Sequence, residues 1–131
     1  MDTIKVDFIK LRSAIESSWR PDTAYQFIEE EGNPALGQCY VTSLVIQYFF
    51  PECEIIKGEV NTDHGIEKHY WNMVMVNGEK VHIDLTWRQF PLGSTIKSWQ
   101  LKNRGEFNDD KQLVERFEKL LTRVKQNLNQ S

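Results

Sequence analysis

Cysteine, histidine and aspartate at positions 39, 69 and 84 are the residue types that acyl-transfer chemistry requires. Cys39 sits in "GQCYVT", where a glycine-punctuated loop gives way to an apolar run. His69 opens "HYWN" and Asp84 lies in "HIDLTW". A thiol is a weak nucleophile at neutral pH because only a small fraction of it is thiolate. An imidazole can take its proton. A carboxylate on the second ring nitrogen fixes the tautomer and stabilises the imidazolium that forms. If Cys39 opens a helix, the exposed N–H groups and the macrodipole favour its anion as well. The backbone N–H of Cys39 and the side-chain amide of Gln38 are then the candidate oxyanion donors.

The elements that would position these groups can be read from periodicity. "HYWNMVMVNGEKVHIDLTW" is two alternating segments around Asn77-Gly78, which predicts a hairpin. A two-residue loop pairs Val76 with Glu79, and a four-residue loop pairs Met73 with Asp84. Both put His69 and Asp84 on one face, diagonal neighbours in the tighter register at roughly 7–8 Å between Cα atoms. A three-residue loop would separate them. Residues 38–50 read as a largely buried helix stopped by Pro51; their β-branched content also allows a strand, and length favours the helix. Ile4, Phe8, Leu11, Ile15 and Trp19 trace an earlier helix ended by "RPD", with Tyr25 and Phe27 anchoring the loop that follows. "EIIKGEV" predicts a short strand. Leu113, Phe117, Leu120, Leu121, Val124 and Leu128 trace a last amphipathic helix, capped by Asn108 or Asp109, with its charged face in solvent. The expectation is one α+β domain over residues 1–131, with helices outside a small antiparallel sheet.

Each site residue also has a plainer reading. Cysteine is among the most buried residue types, so Cys39 could be an inert helix thiol; Cys53 reads as structural. His64 in "NTDHG" reads as a turn residue, and His82 shares a face with Asp84, so either could replace His69 as base. Trp71 shares the His69 face and could wall a substrate cleft or simply fill the core. Asn72 points the other way and reads as structural. Zinc on Cys39, His69 and His82, with Asp84 or Asp63, is the rival chemistry. It lacks the short-spaced ligand pair that structural zinc sites show, so no metal and no cofactor are expected.

Composition narrows the partners. The chain has 131 residues, 40% hydrophobic and 27% charged, with a formal charge of −3. That balance suits a globular chain and argues against nucleic acid, which needs a concentrated basic face. The charged N-terminal stretch is no signal-peptide core, and "CYVTSLVIQYFF" is too short and too polar to span a bilayer. A cytoplasmic setting with reduced thiols and no membrane partner is the expectation. A helix over 39–50 would hold Cys39 and Cys53 roughly 20 Å apart, beyond the about 7 Å a disulfide spans.

"NPALGQCYVTSLVIQYFF", "HYWN", "GEKVHIDLTWRQF" and the upstream "WRPD" together resemble the YunG-like family of small bacterial proteins, from about Ser17 to Pro91 and more weakly into the last helix. More distantly, H-x-W…G…V-x-x-D-x-T resembles the transglutaminase-like branch of the papain-like superfamily. This resemblance implies a central helix opened by a nucleophile, Cys39, with His69 as general base and Asp84 as its orienter on successive strands. In papain-like proteases the oxyanion glutamine precedes the cysteine by several residues, whereas Gln38 is adjacent to it.

Two functions follow as expectations. One is a cysteine-dependent hydrolase or acyltransferase acting on a peptide, amide or thioester, its cleft open or completed by a partner chain. The other is a binding module that keeps the fold without turnover.

Overall fold

A computed structural model of the chain describes residues 7–25, 33–102 and 110–129. The expected positions of Ile4, Phe27, Asn108 and Asp109 lie outside these. Helix α1 spans Phe8–Ser18, opened by Asp7, whose carboxylate accepts from Ile9 N at 2.8 Å. It stops at Trp19, two residues before Pro21, and Pro21–Thr23 form one turn of 3-10 helix. Helix α2 is Cys39–Phe49, its first turn closed by Thr42 N on the Gln38 carbonyl at 3.0 Å. Helix α3 is Lys111–Asn129, with Asp110 as its cap through Oδ1 on Leu113 N at 3.1 Å.

Four strands, β1 (Glu54–Thr62), β2 (Gly65–Val76), β3 (Glu79–Ile83) and β4 (Thr95–Leu101), form an antiparallel sheet in the order β3-β2-β1-β4. Asn77 and Gly78 both have positive φ, 51° and 82°, the backbone of the tight hairpin turn whose twist matches the strands. Val76 therefore faces Glu79 and Asn72 faces Ile83, the two-residue register. The strand expected at "EIIKGEV" runs on to Thr62 and turns at Asp63-His64 into β2, with Thr62 opposite Gly65.

Strand alternation divides the sheet into two faces. Tyr70, Asn72 and Val74 meet α2: Tyr40 stacks on Tyr70 with centroids 4.1 Å apart, and Asn72 Nδ2 donates to the Ser43 carbonyl at 3.0 Å. Asn72 is thus the structural residue expected. Its Oδ1 is the one sealed, unpaired side-chain polar atom among the described residues. Leu11, Ile15, Val41, Leu44, Val45, Ile55, Leu113, Leu120 and Val124 form the core between the helices and this face. Trp19 Nε1 donates to Thr42 Oγ1 at 2.9 Å, tying α1 to α2. A bidentate Arg123–Asp22 pair ties α3 to the 3-10 turn. On the other face Ile56, Trp71 and Met73 make a second, smaller cluster.

The charged face of α3 departs from expectation at one residue. Arg116, expected in solvent, is only 8% exposed. It stands one turn from both Leu113 and Leu120, within the apolar stripe rather than opposite it.

Candidate functional site

The loop leading to Cys39 has to turn sharply, and Gly37 allows it. Its φ is +75°, a left-handed conformation that suits glycine. A Cβ there would stand 3.1 Å from Tyr25 N and 3.2 Å from Ala24 Cβ. Tyr25 N donates to the Gly37 carbonyl at 2.9 Å, so the segment after the 3-10 turn holds the loop in place. Cys39 then opens α2, half-buried and free of any disulfide. The first-turn N–H groups of a helix have no intrahelical acceptor, and Gln38, the N-cap, makes no side-chain cap hydrogen bond.

His69 projects from β2 on the Trp71 face and has no exposed surface. Its Nε2 lies 2.7 Å from Asp84 Oδ2. Asp84 follows the last residue of β3, and its Oδ1 accepts from Thr86 N at 3.2 Å, which orients the carboxylate. Trp71 lies against the imidazole at 5.3 Å, and Phe90 meets it edge-on at 4.7 Å. The ring's other nitrogen, Nδ1, lies 3.3 Å from Gln89 Nε2, and Cys39 is near enough to bear on the ring's ionisation. Burial alone would push the His69 pKa down. The hydrogen bond to Asp84, together with the nearby Cys39 thiol and the charges of both groups, outweighs burial and raises it from 6.5 to about 9.

The 2.7 Å contact joins His69 to Asp84, and the charge of Cys39 is felt at the same ring. Such a pairing can accept a thiol proton on one ring nitrogen while the carboxylate holds the other. His64 is not part of it: its side chain is 80% exposed in the Asp63-His64 turn. His82 is not either, because its Nδ1 accepts the Trp71 indole N–H at 2.9 Å. No group of three or more His, Cys, Asp or Glu stands close enough to hold a metal ion among the described residues.

The Gln38 side chain, the candidate oxyanion donor, is engaged with the 3-10 turn. The side chain is buried, with Nε2 donating to the Arg20 carbonyl at 2.9 Å and Oε1 accepting from Thr23 Oγ1 at 2.8 Å. It fastens the Cys39 loop to the 3-10 turn. Being adjacent to Cys39 in sequence sends the amide toward the turn that the loop packs on.

Trp71 is buried, held by His82, and forms the floor of a cavity of about 560 Å³. The walls are His82 and residues 96–99 of β4. It therefore both backs the imidazole and faces a cleft on the outer side of the sheet.

Gln89 is the site residue that sequence reasoning missed. Its Nε2 lies 3.3 Å from His69 Nδ1 and 3.2 Å from Thr86 Oγ1, and its Oε1 accepts from Gly37 N at 3.2 Å. One amide thus joins the cysteine loop, the histidine and the turn after the aspartate. Its only signal is its place in "DLTWRQF", five residues past Asp84 (89 − 84) in a stretch without periodicity.

A family model described as YunG protein matches residues 7–129, and the chain belongs to that family. No curated protein and no solved structure matches the chain. No helix among the described residues is long and apolar enough to cross a membrane.

Proposed function

We propose that this member of the YunG family is a cysteine-dependent acyl-transfer enzyme of the transglutaminase-like, papain-like kind, acting on an amide or thioester. The reading rests on one observation: a half-buried Cys39 at the start of α2 lies within the electrostatic reach of an imidazole whose Nε2 is 2.7 Å from Asp84. In this reading His69 takes the Cys39 proton, and the sulfur attacks the carbonyl carbon. The tetrahedral oxyanion is met by the Cys39 N–H and its first-turn neighbours. His69 returns the proton to the departing amine or thiol as the bond to carbon breaks, leaving a thioester on Cys39. Water or an amine then attacks that thioester, with His69 as base.

A binding module that retains the fold is the second reading. The full burial of His69 favours it, since a sealed imidazole also serves as a polar core group. Alkylation of Cys39 by iodoacetamide against pH, resolved by mass spectrometry, separates the two. Cys53 is the internal control, because burial and then Glu52 push its thiol up to about 11. The enzyme reading expects Cys39 to react below about pH 7, under the free-thiol range, and a His69→Ala variant to lose that reactivity. A Cys39 that titrates like free cysteine, or is indifferent to His69→Ala, sinks it.

A further inference from the structure

Arg116 is the buried ionic group that neither the core nor the triad uses. It lies on the apolar stripe of α3 and is 8% exposed. Among the described residues it donates no hydrogen bond and forms no ion pair. Its guanidinium rests 5.6 Å from the centre of the Tyr25 ring. Tyr25 is the residue whose N–H holds the Gly37 carbonyl, so the cation stands beside the loop that delivers Cys39. Burying a guanidinium without a carboxylate is costly, and folded proteins normally pair such a charge. Asp110 is near enough to be felt by Arg116 but makes no ion pair with it. Nor are the guanidinium nitrogens sealed off: the sealed, unpartnered side-chain atom among the described residues is Asn72 Oδ1.

We propose that Arg116 is the substrate-anion site of this protein: it receives a carboxylate carried by the amide or thioester that Cys39 attacks. The inference rests on the acyl-transfer reading for what is bound, and on Arg116 itself for the charge. A guanidinium presents a planar, bidentate donor edge that a carboxylate matches, which a lysine does not. Burial draws the Arg116 pKa below its ordinary value, partly offset by Asp110, Cys39 and Tyr25. The group stays cationic at any pH at which the protein works. Cys39 lies within its electrostatic reach. Substrates of this chemistry have a short acyl or leaving portion ending in a carboxylate, as in a dicarboxylic acid bound through one end.

Iodoacetate and iodoacetamide test this, since they differ by one negative charge and report on the same sulfur. The comparison is made at about pH 10, above the value of about 9 for His69, so that the imidazole is largely neutral while Arg116, whose charge is felt at Cys39, stays cationic. Expressed against the same ratio for free cysteine, Cys39 should favour iodoacetate by roughly tenfold. The preference should fall as salt rises from about 10 mM to about 1 M. Arg116→Gln should remove it and Arg116→Lys should keep part of it. A wild-type ratio equal to that of free cysteine overturns the proposal whether or not any variant folds. So does a preference that survives Arg116→Gln. Because thiols ionise at this pH without help, the result is independent of the pH profile that tests the acyl-transfer reading. Either idea can therefore fail alone.

Discussion

His69 Nε2 and Asp84 Oδ2 stand 2.7 Å apart around an imidazole with no exposed surface. The folded-state pKa of His69 is raised from 6.5 to about 9, so its charged pairing stabilises the fold fully below about pH 6.5 and ceases to do so as pH rises through about 9. That rise corresponds to on the order of 3 kcal/mol for the whole set of interactions. An Asp84→Asn variant should melt below wild type at pH 6, with the gap narrowing across the window from 6.5 to 9. A gap that is constant with pH would sink the assignment of Asp84 as the partner of the imidazolium.

Gly58 lies under the Trp71 ring, where a Cβ would overlap Cη2 and Cζ3 and stand 3.0 Å from the Ser98 carbonyl. Gly58→Ala is expected to cost about 1–3 kcal/mol as an overpacked site, measured by urea unfolding. Adding Trp71→Phe should recover part of that loss, because the two changes meet at one contact. Strictly additive costs would show that the ring is not what the methyl group strikes.

Gln89 joins Gly37, Thr86 and His69 through one amide. Gln89→Ala leaves the Gly37 N–H without its acceptor and should cost about 1–3 kcal/mol. The Cys39 loop and the turn after Asp84 should then exchange amide hydrogens faster together. Faster exchange confined to one of the two segments would argue against a shared tether.

Gln38→Met tests the anchoring role of a residue adjacent to the thiol. Losing the bonds to Arg20 and Thr23 should lower stability by about 1–3 kcal/mol. Its effect on Cys39 alkylation should be smaller than that of His69→Ala. A variant as stable as wild type but strongly altered in Cys39 reactivity would return Gln38 to the oxyanion role.

Much of the arrangement was legible locally. The Asn77-Gly78 turn chemistry set the hairpin register, and with period-2 alternation that register put His69 and Asp84 on one face. Helix α2 was legible because its apolar run is bounded by Gly37 and Pro51. Strand β4 was not, since every residue of Thr95–Leu101 is exposed and its pairing with β1 leaves no apolar alternation to read. Arg116 shows the opposite failure: its charge suggested solvent, while its place between Leu113 and Leu120 put it inside.

By itself, then, the sequence determined the element types, the tight hairpin and the residue types that could do chemistry, because these depend on spacing within one segment. Only the tertiary structure decided which partners meet. It brought Gln89 to Gly37 and His69, turned the Gln38 amide toward Arg20 and Thr23, and set Arg116 on Tyr25 beside the Cys39 loop. Each of these contacts joins segments distant in the chain. Such contacts are settled by how buried polar groups find partners once the apolar faces have packed, and no local periodicity encodes that choice.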